Sequence, residues 1–343
     1  MGCKKRNAVI DIYKGIGIIL MLMGHVGFGD ISSHIVHAFN MPMFFFVSGF
    51  LYDETQKYNF KKYLNRKSKG LLYPYLIFGL MNYIIYVILQ CARNEIISVS
   101  PIRHMFFVNT TGMVSGSMWF LTALWISSVL FWIVNSTCKK TSVKSLVFVV
   151  IVLIGIFIAE YSPFRLPFAM DAGMVGAGIQ YIGYVCRKEK SRDIINRLCN
   201  LSFAKTCIGI LVFSILALCN GEINMRTGVY HNIVLFGMNA IVGSLLAYNL
   251  SLHIDSIKNF KITCMDNTIK IIERIGRNSL MYVCMNDIII AEVKHILKLM
   301  CKGEGKLHTL FIHSSTLLIS IGIIYVCAHY IPVKKWFNKL KGN

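Results

Sequence analysis

The first apolar stretch of the sequence carries three side chains that can take part in acid–base chemistry. Asp11, Lys14 and His25 lie within residues 8–28, and at about 100° per residue they fall within a sector of about 60° on one helix face. An ionisable group inside a membrane-spanning helix costs about 2.5–3.5 kcal/mol and usually faces a cavity or a partner. The shared face therefore indicates an internal site or pathway along this helix.

His25 is the candidate general base. It lies about 16 Å along the helix axis from Lys14 and is flanked by Gly24 and Gly27, small residues that let another backbone or a substrate approach closely. A neutral imidazole is the natural general base near pH 7. The alternative is a histidine that only hydrogen-bonds a neighbouring helix.

Asp11 and Lys14 are spaced i, i+3 and can form an ion pair near one membrane interface, with the Lys14 ammonium group reaching toward water. A second polar set follows within residues 34–51. A hairpin near residue 31 places His37 level with His25 and Ser48 level with Lys14. We therefore expect an outer tier of His25 with Asn40 or His37, and an inner tier of Lys14 with Ser48.

The composition indicates the elements that must position these groups. Of 343 residues, 55% are hydrophobic and 15% charged, and the mean hydropathy is +0.58, values typical of an all-α polytopic membrane protein. Apolar stretches of about 20 residues predict ten membrane spans. They are 8–28, 34–51, 71–90, 117–137, 143–159, 166–186, 201–219, 231–250, 279–298 and 309–330. Residues 1–343 are predicted to be one membrane domain without an appended soluble domain.

The basic residues support this topology. Apart from Lys14, this topology assigns 27 of the Lys and Arg residues to one side and 8 to the other. Cytoplasmic loops hold the excess of Lys and Arg, which places both termini in the cytoplasm of a multi-pass inner (plasma) membrane protein. Because the net charge of +20 is spread over many loops, a nucleic-acid partner is not expected. The 11 cysteines include no CxxC pair with flanking histidines, so no metal site is expected.

Several motifs resemble the membrane acyltransferase-3 family. The most specific are Asp11-Ile12-Tyr13-Lys14-Gly15, then Gly24-His25, then Asn40-Met41-Pro42-Met43-Phe44-Phe45-Phe46-Val47-Ser48-Gly49. Trp119-Phe120-Leu121, Gly183-Tyr184 and Asn278-Ser279-Leu280-Met281-Tyr282 follow in the same order. The resemblance covers essentially the whole chain and is strongest over the first fifty residues.

This resemblance implies a ten-helix enzyme that moves an acetyl or related group from cytoplasmic acyl-CoA to a carbohydrate hydroxyl. It also implies that His25 is catalytic and that Lys14 accompanies it. The family often has histidine at the positions of Asn40 and of Asn286-Asp287. Because an amide cannot take up a proton, these positions are expected to orient a substrate instead.

The resulting prediction is an O-acyltransferase with His25, Lys14 and Asp11 as catalytic residues and acetyl-CoA as the acyl donor. The expected substrate-binding residues are Asn40, Ser48, Trp119, His37 and Asn286. Trp119 has a second interpretation as an interfacial anchor. We expect direct transfer rather than a covalent acyl-His25 relay, because no second nucleophile is evident.

The same residues leave two other classes of function open. The same buried charges would suit a proton-coupled transporter, although the sequence has no repeated halves. A scaffolding membrane protein is disfavoured by the polar face of the first span. The lipid bilayer, acyl-CoA and a carbohydrate acceptor are the expected partners, and the sequence selects no oligomeric state.

Overall fold

The computed structural model describes residues 7–54, 59–105, 115–162, 165–189, 193–258 and 263–331. Over these residues the secondary structure is helical, which confirms the predicted all-α class. The α-helices are α1 (Ala8–Val26), α2 (Asp30–His37), α3 (Pro42–Phe50), α4 (Phe60–Ala92), α5 (Ser100–His104), α6 (Trp119–Thr137), α7 (Thr141–Tyr161), α8 (Met170–Lys188), α9 (Asp193–Leu198), α10 (Phe203–Asn220), α11 (Ile233–Ile257), α12 (Thr263–Arg277), α13 (Ser279–Met300) and α14 (Lys306–Tyr330).

Seven segments among the described residues are long and apolar enough to cross a membrane. They contain α1, α4, α6, α7, α10, α11 and α14, so the predicted count of ten is not confirmed. α8 and α13 are long enough but include several charged residues. The orientation prediction depends partly on Lys4, Lys5 and Arg6 and on the basic residues of 334–341, which lie outside the described residues.

The predicted span 34–51 is wrong as a single helix, because the chain forms α2 and α3 with a break between them. Pro42 begins α3, a position where its missing N–H costs nothing. The side chain of Asn40 accepts a hydrogen bond from the Met41 amide at 2.7 Å. A proline and an asparagine therefore interrupt the helix beside His37. Earlier in the chain, α1 ends before Gly27, which has a φ angle of +85°, a value that glycine adopts without strain.

α1 is packed between α11, α12 and α13. The sequence predicted residues 251–277 as a loop, but they contain the last two turns of α11 and the amphipathic helix α12. A Cβ atom on Gly276 would lie 1.8 Å from the Asp11 carbonyl oxygen, so α12 lies directly against the start of α1.

α8 packs against α3, α6 and α7. A Cβ atom on Gly183 would lie 2.0 Å from the Phe46 carbonyl oxygen, and one on Gly49 would lie 1.8 Å from the Gln180 carbonyl oxygen. These two glycines let the backbones of α3 and α8 touch. At the start of α8, the fully buried carboxylate of Asp171 is paired with Arg165, which explains how a charged residue is accommodated there.

Candidate active site

The His25 imidazole contacts the Asp287 carboxylate between the last turn of α1 and the middle of α13. The His25 Nδ1 atom lies 3.1 Å from Asp287 Oδ1, and the two side chains are 32% and 18% exposed. The carboxylate is therefore largely enclosed while the imidazole remains accessible. A carboxylate at Nδ1 favours the tautomer with the proton on Nδ1, which leaves Nε2 as the basic nitrogen.

The other oxygen of Asp287 is held by the turn that precedes α6. The Ser117 amide donates to Asp287 Oδ2 at 2.8 Å, and the hydroxyls of Ser117 and Ser115 lie 2.8 Å and 3.3 Å from the same oxygen. These contacts fix the direction of the carboxylate toward His25. Three separate segments, α1, α13 and the turn 115–118, thus meet at the Asp287 carboxylate.

Arg226 contributes positive charge to this site. It lies on the loop between α10 and α11, and a Cβ atom on Gly116 would come within 2.3 Å of its guanidinium nitrogen. Burial lowers the pKa of Arg226, and the negative charge of Asp287 opposes this effect. Arginine stays cationic under such conditions. The sequence offered only a weak signal for Arg226, one of the few basic residues on the predicted outer side.

His37 lies beside the helical turn that carries His25. Its Nε2 atom is 3.1 Å from the position that a Cβ atom on Gly24 would occupy, and its Nδ1 atom is 2.9 Å from the Ser33 hydroxyl. The glycine before His25 therefore leaves room for a second imidazole. On the opposite side, Lys294 donates to the Val26 carbonyl at 3.0 Å.

The remaining predicted residues of the outer part of the site are buried and support the backbone. Asn40 is 2% exposed, Asn286 is fully buried and Trp119 is 6% exposed. The Asn286 amide donates to the Ser117 hydroxyl at 2.9 Å and to the Tyr282 carbonyl at 2.9 Å. Asn286 thus braces the turn that holds Asp287. The Trp119 ring packs edge-on against Phe120, as expected of a core residue rather than an interfacial anchor.

A cavity of about 770 Å³, the Lys14 cavity, lies at the other end of α1. Its volume is within the ~300–1,000 Å³ range of small-molecule sites. Lys14 and Ser48, the residues of the expected inner tier, both line it. The charged side chains in its described lining are Lys14, Arg66, Lys67, Arg187 and Asp53. Four cations against one carboxylate make the cavity electropositive.

Two lining residues relate the Lys14 cavity to His25. Phe120 and Val283 line its inner wall, and the Val283 carbonyl accepts a hydrogen bond from the Ser117 hydroxyl at 2.9 Å. Val283 lies one turn before Asp287 on α13, about 6 Å along the axis. One helical turn of α13 and the Ser117 side chain therefore connect the cavity lining to Asp287.

Asp11 has a partner that the sequence did not predict. Its Oδ2 atom accepts from Arg277 Nε at 3.0 Å, and Arg277 also donates to Glu273 at 2.9 Å. Asp11 is 3% exposed, and its buried carboxylate links α1 to α12. Within the described residues, no three His, Cys, Asp or Glu side chains form a cluster suited to a metal ion.

Comparison with known proteins identifies a family for this chain. No curated protein and no solved structure matches the chain. A family model described as an acyltransferase domain matches residues 7–332, nearly the whole length. The chain therefore belongs to the acyltransferase-3 family of membrane acyltransferases.

Proposed function

We propose that this protein is an O-acyltransferase that moves an acetyl or similar acyl group from cytoplasmic acyl-CoA to a hydroxyl of a cell-surface glycan or its lipid-linked precursor. The observation that carries the proposal is the accessible His25 imidazole with a carboxylate at Nδ1. Family membership supports the acyltransferase class. The base, the donor and the acceptor are our inference.

In the proposed reaction, His25 Nε2 takes the proton of the acceptor hydroxyl as its oxygen attacks the thioester carbonyl. A C–O bond forms, the C–S bond breaks, and the imidazolium returns the proton to the departing CoA sulfur. General-base assistance of this kind contributes about 10²–10⁴ in rate. Asp287 stabilises the imidazolium, and the positive charge of Arg226 stabilises the oxyanion that develops on the carbonyl.

The acyl donor is proposed to occupy the Lys14 cavity. Lys14, Arg66 and Arg187 line it, and cations of this kind attract the phosphates of CoA. The flexible pantetheine arm then extends between α6 and α13 toward Val283, about one helical turn short of Asp287. Direct transfer at His25 needs no covalent acyl-enzyme.

The acceptor is proposed to approach from the exposed side of His25. His37 forms the adjacent wall through its contact with Gly24, and it replaces Asn40 as the outer partner of His25 in this proposal. Ser48 belongs to the donor side, because it lines the Lys14 cavity.

A transfer assay tests the function. Membranes containing wild type or His25→Ala are incubated with labelled acetyl-CoA and glycan. His329→Ala serves as a control, because His329 is an exposed imidazole near the C-terminal end of α14. We expect transfer to fall at least about 10²-fold in His25→Ala and to persist in the control. Lys14→Gln should raise the KM for acetyl-CoA and leave the acceptor KM unchanged.

The same assay separates the enzyme from a transporter. Unchanged transfer in His25→Ala at equal protein abundance removes His25 from catalysis. If wild type acylates no glycan but moves a solute across sealed vesicles, the enzyme proposal is wrong and the polar groups of α1 belong to a transport pathway.

A further inference from the structure

A second basic cavity lies beside the His25 end of α1. This Lys298 cavity, of about 510 Å³, is formed by the end of α13, the start of α14 and the residues between them. Its charged and imidazole side chains are Lys294, Lys298, Lys302, Glu304, His308 and His313. The Lys14 cavity is lined by residues near the other end of α1, so the two cavities are distinct sites.

Two lysines of this cavity are spaced so that their charges repel each other on α13. Lys294 and Lys298 are four residues apart on α13, a spacing at which like charges repel. Glu304 is the one carboxylate in the described lining, and the nearby Glu292 is paired with Arg93 at 2.5 Å. The cavity therefore has an excess of positive charge that a bound anion would neutralise.

The distribution of basic residues along the sequence agrees with this. Three of the eight Lys and Arg residues on the predicted outer side, Lys294, Lys298 and Lys302, line this one cavity. Loops on the outer side usually contain few lysines, so membrane topology does not explain a cluster of lysines there. Ligand binding provides an explanation.

The cavity borders the residues that follow His25. Lys294 lines it and also donates to the Val26 carbonyl at 3.0 Å. The Phe28 ring contacts the His313 imidazole edge-on, with centroids 5.8 Å apart. The cavity therefore lies beside the residues that directly follow His25.

We propose that the Lys298 cavity binds an anionic group, a phosphate or a carboxylate, of the carbohydrate acceptor. The proposal builds on the acyltransferase function above and narrows the acceptor to an acidic sugar or a sugar carried on a phosphate. Lysine ammonium groups bind such anions as point charges. The described lining contains no Phe, Tyr or Trp, the side chains on which a neutral sugar ring would stack.

Equilibrium dialysis tests the site without depending on catalysis. The full chain in phosphatidylcholine nanodiscs is titrated at low salt with labelled inorganic pyrophosphate and, separately, with labelled glucuronate. We expect at least one probe to bind, and its affinity to fall about tenfold in the double variant Lys298→Gln/Lys302→Gln. Preference for pyrophosphate indicates a phosphate-carried sugar, and preference for glucuronate indicates an acidic sugar.

A matched double variant, Lys270→Gln/Lys306→Gln, removes two exposed charges outside the cavity lining and should bind the probe as wild type does. Equal binding by wild type and Lys298→Gln/Lys302→Gln, or no binding of either probe to wild type, overturns the proposal. Wild type and Lys298→Gln/Lys302→Gln are also compared by thermal stability in nanodiscs with and without phosphatidylglycerol. If they differ only in that comparison, and only when phosphatidylglycerol is present, the cavity holds a bilayer lipid and the proposal is wrong.

The transfer assay then relates the site to the reaction. With an acidic acceptor, Lys298→Gln/Lys302→Gln should raise the acceptor KM and leave the acetyl-CoA KM unchanged. An unchanged acceptor KM contradicts the role in acceptor binding. If wild type transfers no acyl group at all, the acyltransferase proposal fails, whereas the dialysis result still decides whether the cavity binds anions.

Discussion

At the scale of single residues, the proposed chemistry depends on how Asp287 holds the His25 imidazole. Asp287 is a positioning residue, because it contacts His25 Nδ1 and the turn 115–118 rather than a substrate. We expect Asp287→Asn to lower kcat about 10²–10⁴-fold with both KM values within a few-fold of wild type. The amide removes the negative charge that stabilises the imidazolium and favours the wrong tautomer.

Glu292→Gln is the matched control for Asp287→Asn. It removes one carboxylate from the same helix, where Glu292 is paired with Arg93, and should leave kcat near the wild-type value. Steady-state kinetics with both substrates, at protein levels checked by size-exclusion chromatography, provide the measurement. A loss of folded protein without a change in kcat per folded molecule would show that Asp287 only joins α13 to α6.

Sequence reasoning identified His25 but not the residue that orients it. His25 was found from its own helix, because periodicity places it on the polar face of α1. Asp287 follows the predicted Asn286 directly, yet successive residues on a helix point in different directions. Only the packing of α13 against α1 brings one oxygen of Asp287 to His25, while its other oxygen and the Asn286 amide contact Ser117.

At the scale of elements, the contact between α3 and α8 sets the position of one wall of the Lys14 cavity, because α3 carries Ser48. Gly183→Ala places a methyl group against the Phe46 backbone carbonyl, which cannot rotate away as a side chain can. We expect destabilisation of about 1–3 kcal/mol, seen as a lower midpoint in a fluorescence-detected thermal unfolding assay. Gly237→Ala, a helical glycine with open space around it, should match wild type, and equal midpoints for the two variants would contradict this packing argument.

The apolar stretches predicted most of the long helices, but an interruption and an amphipathic helix were harder to predict. Residues 34–51 are apolar enough to read as one span, although Pro42 marks the break at which α3 begins. α12 was missed because hydropathy over a membrane-length window does not detect an amphipathic helix of 15 residues. α12 contacts Asp11 through Arg277, and a local sequence pattern cannot predict a pair of residues so far apart in the chain.

At the scale of the whole molecule, the two basic cavities lie near opposite ends of α1, with His25 beside the second. This arrangement suits a reaction whose donor comes from one side of the membrane and whose acceptor comes from the other. It requires the Lys14 cavity to face the cytoplasm, as the distribution of Lys and Arg predicts. If the molecule were inserted the other way, cytoplasmic acyl-CoA would meet the Lys298 cavity instead.

Cysteine labelling tests this orientation with residues that the chain already has. Cys91 is in the last turn of α4, beside the Arg93–Glu292 pair and near the His25 end, whereas Cys264 is in the first turn of α12, and both are exposed. In sealed right-side-out vesicles, single-cysteine variants that retain only Cys91 should react with a membrane-impermeant maleimide. Those that retain only Cys264 should react only after permeabilisation, because Cys264 then lies on the cytoplasmic side. The reverse pattern would put the lysine-rich donor cavity outside the cell, where no acyl-CoA is available, and would contradict the proposed direction of transfer.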